Sequence, residues 1–136
     1  MTYKYFEHTA DVIFEAYGKT LEEMFESAAL ATEEVMVNLK TLKVKETKLV
    51  KLEGRSVEDL LYLFLEELIF IKDTEGLLFK EFKIKIKDNK LDAVCKGEKI
   101  NSQTQELEKD LKAVTMHQFE VKEEKGKWKA RVLLDI

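Results

Sequence analysis

The chain has 136 residues, the size of a single domain with one core, and at 45% hydrophobic with 8 Phe, 4 Tyr and 1 Trp it carries too much apolar mass for a disordered chain. A net charge of −4 argues against a surface that binds phosphate backbones through general counterion release. The single cysteine, Cys95, cannot close an internal disulfide, and with only His8 and His117 no Cys/His zinc cage can be assembled, so any metal site must be built from oxygen.

Tyr3 to His8 and Asp11 to Tyr17 read as two short strands of aromatic and β-branched residues, the second closed by Gly18. Thr20 with Glu23 forms a capping-box pattern, and Leu21, Met24, Phe25, Ala28, Ala29, Thr32, Val35 and Met36 follow at helical spacing, which predicts a helix from Thr20 to Met36. Leu42, Val44, Val50 and Leu52 fall on one face of an alternating pattern with Lys43, Lys45 and Lys51 on the other, a strand or hairpin ending near Gly54.

Ser56 and Asp59 repeat the capping pattern, and the helix they open carries Leu60, Leu61, Phe64, Leu68 and Ile71 until Asp73 to Gly76 stops it. Glu66 and Glu67 interrupt this run, the longest apolar one, well short of the ~20 uncharged residues a bilayer crossing needs. Met1 to His8 lacks a basic region followed by an apolar one, so a cytoplasmic protein without a membrane partner is expected. Phe82, Ile84 and Ile86 alternate with lysines before Asp88-Asn89 turns the chain into Leu91 to Glu98, a hairpin. Ile100 to Glu108 is polar and aperiodic, a loop. Leu111 to Lys122 and Lys127 to Ile136 are the last strands, joined by a tight turn over Glu123 to Gly126. The elements predict one α+β domain over residues 1–136, a largely antiparallel sheet with two main helices packed on it.

Candidate chemistry is sparse. Asp11 stands at a loop mouth, where a carboxylate can bind a cation or cap the turn through its own backbone. Asp135 interrupts an apolar strand beside the backbone oxygens of Ile136, a set of oxygens suited to a hard cation or simply a solvated end. His117 shares a strand parity with Ala113, Thr115, Phe119 and Val121, which places it as a half-buried core histidine rather than a general base. Lys112 falls on the opposite face, a solvated strand lysine. One of Glu66 and Glu67 must approach the core edge, where a carboxylate wants a cation or a donor. No nucleophile motif, phosphate loop or Gly-rich fingerprint is present.

Phe6-Glu7-His8-Thr9-Ala10-Asp11, Ala16-Tyr17-Gly18-Lys19-Thr20-Leu21-Glu22-Glu23, Leu65-Glu66-Glu67-Leu68, Gly97-Glu98, Lys112-Ala113-Val114-Thr115-Met116-His117 and Leu133-Leu134-Asp135-Ile136 together resemble the archease family over the whole chain. The resemblance implies an accessory protein of tRNA splicing that activates an RtcB-family RNA ligase by promoting guanylylation of the ligase's own histidine, without joining RNA or binding nucleic acid strongly itself. It implies a divalent cation, Ca²⁺ in a structure with Mg²⁺ or Mn²⁺ as alternatives, held by Asp11, Asp135 and a backbone oxygen of Ile136. It also implies activation roles for Lys112, Glu67, His117 and His8. The sequence departs from the family pattern at Met116, Asn101 and Gln105, where the family often has Tyr, Asp and His. Two readings from other classes compete: a metal-dependent hydrolase using Asp11 and Asp135 with His117 as base, and a chaperone or modulator of tRNA-modifying enzymes.

Overall fold

The computed structural model describes residues 2–6 and 11–136. In chain order the elements are β1 (Thr2–Phe6), β2 (Asp11–Gly18), α1 (Leu21–Met36), a 3-10 helix (Leu39–Thr41), β3 (Glu46–Glu53), α2 (Val57–Glu75), β4 (Leu77–Lys87), β5 (Lys90–Lys99), β6 (Ala113–Glu124) and β7 (Lys127–Asp135). The domain is α+β with antiparallel pairing between the strands, but it has two sheets where the alternation suggested one: a four-stranded sheet in the order β1-β2-β7-β6 and a three-stranded sheet in the order β3-β5-β4. No helix among the described residues is long and apolar enough to cross a membrane.

Both helices start where their caps place them. The Thr20 hydroxyl accepts the Glu23 N–H and the Ser56 hydroxyl accepts the Asp59 N–H, each at 3.1 Å, so each cap satisfies a donor that the first turn leaves without an intrahelical partner. α2 runs through Asp73 to Glu75 and ends at Gly76, whose φ of 65° is the left-handed cap that glycine adopts without strain. The helices bury their apolar faces together: Phe25 stacks on Phe64 with centroids 6.4 Å apart, and Phe82 of β4 meets Phe64 edge-on at 6.2 Å. Full burial of side chains of this size stabilises by roughly 1.5–3 kcal/mol each.

The turns follow sequence chemistry. Asp88 and Asn89 both have positive φ, 52° and 59°, as do Lys125 and Gly126, at 53° and 75°, the pairing that lets a two-residue turn match the twist of its strands. Residues 42–52 do not form one alternating strand or hairpin. Leu42 is buried, but Val44 is exposed and the strand begins only at Glu46. Upstream of it, Lys43 gives its N–H to the Glu98 carboxylate at 3.0 Å and Lys45 gives its N–H to the Gly97 carbonyl at 2.8 Å, so side-chain and cross-strand anchors replace a hairpin.

α1 covers the free edge of β4, which would otherwise offer unpaired N–H groups to another chain. The Phe79 N–H donates to Glu33 Oε1 at 3.2 Å, while Glu33 Oε2 has no hydrogen-bond partner and the residue is fully buried. Burial pushes the Glu33 carboxyl up to about 8, against smaller opposing effects from the Phe79 N–H and Lys72. Because the folded state holds this proton more tightly than the unfolded chain, stability should fall as pH rises from the ordinary glutamate range to about 8, then level off. Glu33→Gln should flatten that slope: near pH 5 it should match the parent protein closely, and at pH 8.5 it should be clearly the more stable, read by urea denaturation at both pH values. Beside it, burial and the Glu33 carboxyl push the Cys95 thiol up to about 12, so Cys95 should stay unreactive toward a thiol reagent at pH 8 until the protein is unfolded.

Candidate functional site

β7 lies between β2 and β6, and the register fixes what meets at one end of this sheet. Asp11 is directly opposite Asp135, which is directly opposite Ala113. Val12, Leu134 and Val114, one position along, pack into the core, so alternation turns Asp11 and Asp135 to the other face. Directly opposed residues bring their Cβ atoms to roughly 4.5–5.5 Å, and two carboxylates so placed repel each other unless positive charge lies between them. The Lys112 N–H donates to the Asp135 carbonyl at 2.9 Å, and the half-buried Ile136 side chain packs on the core, so the backbone around Asp135 is held on both sides.

The next rows on the same face build a floor. Ile13 and Leu133 are buried, and on Leu133's other side Thr115 holds a buried hydroxyl with no hydrogen-bond partner. Beyond them Glu15 stands opposite Arg131. Burial works to raise the Glu15 carboxyl, but the Tyr17 hydroxyl, which donates to it at 2.6 Å, and Lys129 at 3.3 Å outweigh burial and hold it below the ordinary range. The arrangement is two opposed carboxylates at the sheet's end, with an apolar floor, an unpartnered hydroxyl and a neutralised acidic row behind. The donors are all oxygen, the chemistry of a hard divalent cation. Among the described residues no three His, Cys, Asp or Glu side chains converge, so a cation here would take backbone oxygens and water besides the two carboxylates.

The remaining candidates are placed differently. His117 is not half-buried in the core: it is exposed on a bulge of β6. Pairing passes from Thr115–Leu133 to Glu120–Arg131, so four residues of β6, 116–119, face Val132 alone. These three extra residues reverse the alternation, which leaves Ala113 and Thr115 on the outer face while Phe119 and Val121 pack toward the core. Gln118 carries a φ of 57°, Met116 is 60% exposed, and the Gln118 amide lies 3.5 Å from His117 Nε2. Lys112 is exposed as expected, but it precedes the strand and reaches the site through its backbone. Glu66 and Glu67 are both half-buried on α2, so neither is driven into the core. His8 lies outside the described residues. Sequence reasoning passed over Thr115, because nothing in the sequence distinguishes an unpartnered strand hydroxyl from a solvated one.

The profile of the Archease protein family matches residues 3–136. The chain belongs to the Archease family. The protein archease of Pyrococcus abyssi is 41% identical over 139 residues, and that of Methanothermobacter thermautotrophicus is 42% identical over 138, with 98% of both chains covered in each case. The solution structure of Methanobacterium thermoautotrophicum protein 1598 superposes with a TM-score of 0.86 at 43% identity over 98% of each chain. A Thermotoga maritima crystal structure, described as an archease and possible chaperone, shares the fold with a TM-score of 0.69 at 24% identity, covering 98% of this chain and 96% of that one. The archease motifs therefore lie in a structural context this chain shares with solved relatives. One of them, Gly97-Glu98, is structural here: Glu98 is buried and anchors the Lys43 N–H.

Proposed function

We propose that this protein is a non-catalytic activator of an RtcB-family RNA ligase of tRNA splicing, acting in the cytoplasm through a divalent cation held by Asp11, Asp135 and a backbone oxygen of Ile136. The observation that carries the reading is the direct opposition of Asp11 and Asp135 across β2 and β7. A cation bound there adds positive charge, able to orient nucleotide phosphates, to a partner's active site. The chain's own residues hold and aim it. Opposed strands fix the two carboxylates, the Lys112 N–H fixes the Asp135 backbone, and the apolar floor of Ile13 and Leu133 excludes water from beneath. The Lys112 side chain projects from the same strand start, and His117 and Met116 on the bulge are presented outward for a partner to contact; Glu67 and His8 are further positions taken from the family pattern.

The test is guanylylation and multiple turnover of the ligase with and without this protein, in Mg²⁺, Mn²⁺ and Ca²⁺. Faster histidine guanylylation is the expected result, and an unchanged rate at saturating protein would overturn the proposal. A chaperone or modulator of tRNA-modifying enzymes is the second reading, and the Thermotoga maritima relative is described as a possible chaperone. A tRNA-modifying enzyme accelerated in place of the ligase would favour it. Phosphoester turnover by the isolated protein would favour a hydrolase.

A further inference from the structure

The outer face of the three-stranded sheet carries charge that the chain's net value conceals. Register puts Lys51, Lys83, Lys85, Lys87, Lys90 and Lys96 on this one face, all exposed, while Val50, Ile84, Leu91, Ala93 and Cys95 fill the opposite face. Three carboxylates of the sheet, Glu53, Glu81 and Asp92, share it and Glu26 of α1 borders it beside Lys83 and Lys96, leaving a local charge of +2 on a chain of net −4. Only Lys51 is engaged, with Asp92 at 4.0 Å; the other five lysines make no ion pair with any described residue. Lys83, Lys85 and Lys87 repeat every second residue of β4, roughly 6.6–6.8 Å apart.

We propose that this face binds the phosphate backbone of RNA, which, on the reading of the protein as a ligase activator, is the ligase's substrate. A phosphate chain supplies an anion at each repeat, matching a row of unpaired point charges better than an acidic protein surface, which must place each carboxylate individually. No arginine fork and no aromatic ring lies on the face, so base readout and base stacking have no means, and the contact is sequence-independent and salt-sensitive.

A fluorescein-labelled RNA hairpin is titrated with the isolated protein, without ligase, between about 50 and 200 mM salt, beside polyglutamate of equal charge. The expected result is RNA binding that weakens steeply with salt. Triple substitution Lys83→Gln, Lys85→Gln and Lys87→Gln should weaken it by about tenfold or more at low salt and reduce the slope of log affinity against log salt by about two to three, with an unchanged melting temperature. Lys125→Gln with Lys127→Gln, at the β6–β7 turn, should leave binding unchanged. Absence of binding at low salt, equal affinity of the triple variant, or tighter binding of polyglutamate than of RNA would each overturn the proposal. Because no ligase is present, failure here is separate from failure of ligase activation.

Discussion

Replacing Asp11 with alanine should return the ligase to its unassisted rate while leaving the protein folded. One of two opposed carboxylates is then gone, and a site that draws on charge count loses half its negative charge, so cation affinity measured by calorimetry should fall by on the order of a hundredfold. Fold stability should change by about 1 kcal/mol or less, because a carboxylate at a strand end carries little packing. Asp11→Asn keeps the shape and removes the charge, and should behave like alanine in activation. Loss of activation together with a large fall in melting temperature would instead assign Asp11 a structural role.

The largest effect on stability should come from Gly97→Ala, a position whose importance is steric. A Cβ there would stand 1.8 Å from the Leu78 carbonyl oxygen and 2.7 Å from the Phe79 Cα, both backbone atoms of the paired strand. Neither can move away cheaply: Gly97 pairs with Phe79 where β4 bulges, and its own carbonyl accepts the Lys45 N–H. The expected cost exceeds about 4 kcal/mol, enough to leave much of the protein unfolded or insoluble, as urea denaturation or expression yield would show. Gly126→Ala provides the contrast. Its φ of 75° strains any side chain, but nothing lies within 4 Å of the added carbon, so it should cost only about 1–2 kcal/mol.

What the sequence made legible was local. Thr20 and Ser56 mark their helices because capping is decided within four residues, and Asp88-Asn89 marks its hairpin because the turn needs residues that tolerate positive φ. The division into two sheets depends on which distant strands pair, which alternation does not encode. The bulge at 116–119 was hidden because Met116, His117, Gln118 and Phe119 all suit a continuous strand, and the resulting parity error is what put His117 in the core. The Gly97-Glu98 motif was visible as a family mark, but its reason, a close backbone approach and an anchored loop, needs coordinates. Net charge averaged away the lysine face, since pleating sorts alternate residues to opposite sides. For the candidate site, the residues alone mark Asp11 and Asp135 as carboxylates that could bind a cation or simply cap a turn and a chain end, the resemblance joins them into one site, and the register adds their opposition.

The most direct measurement of the central claim is a double-mutant cycle between these two residues, with ligase guanylylation and cation affinity read for Asp11→Ala, Asp135→Ala and the double variant. Residues that share one cation act as a unit, so each single substitution should lose as much as the pair, with a coupling energy close to the loss from either alone. Losses that simply add, or a single variant that keeps both cation affinity and activation, would contradict a shared cation between β2 and β7.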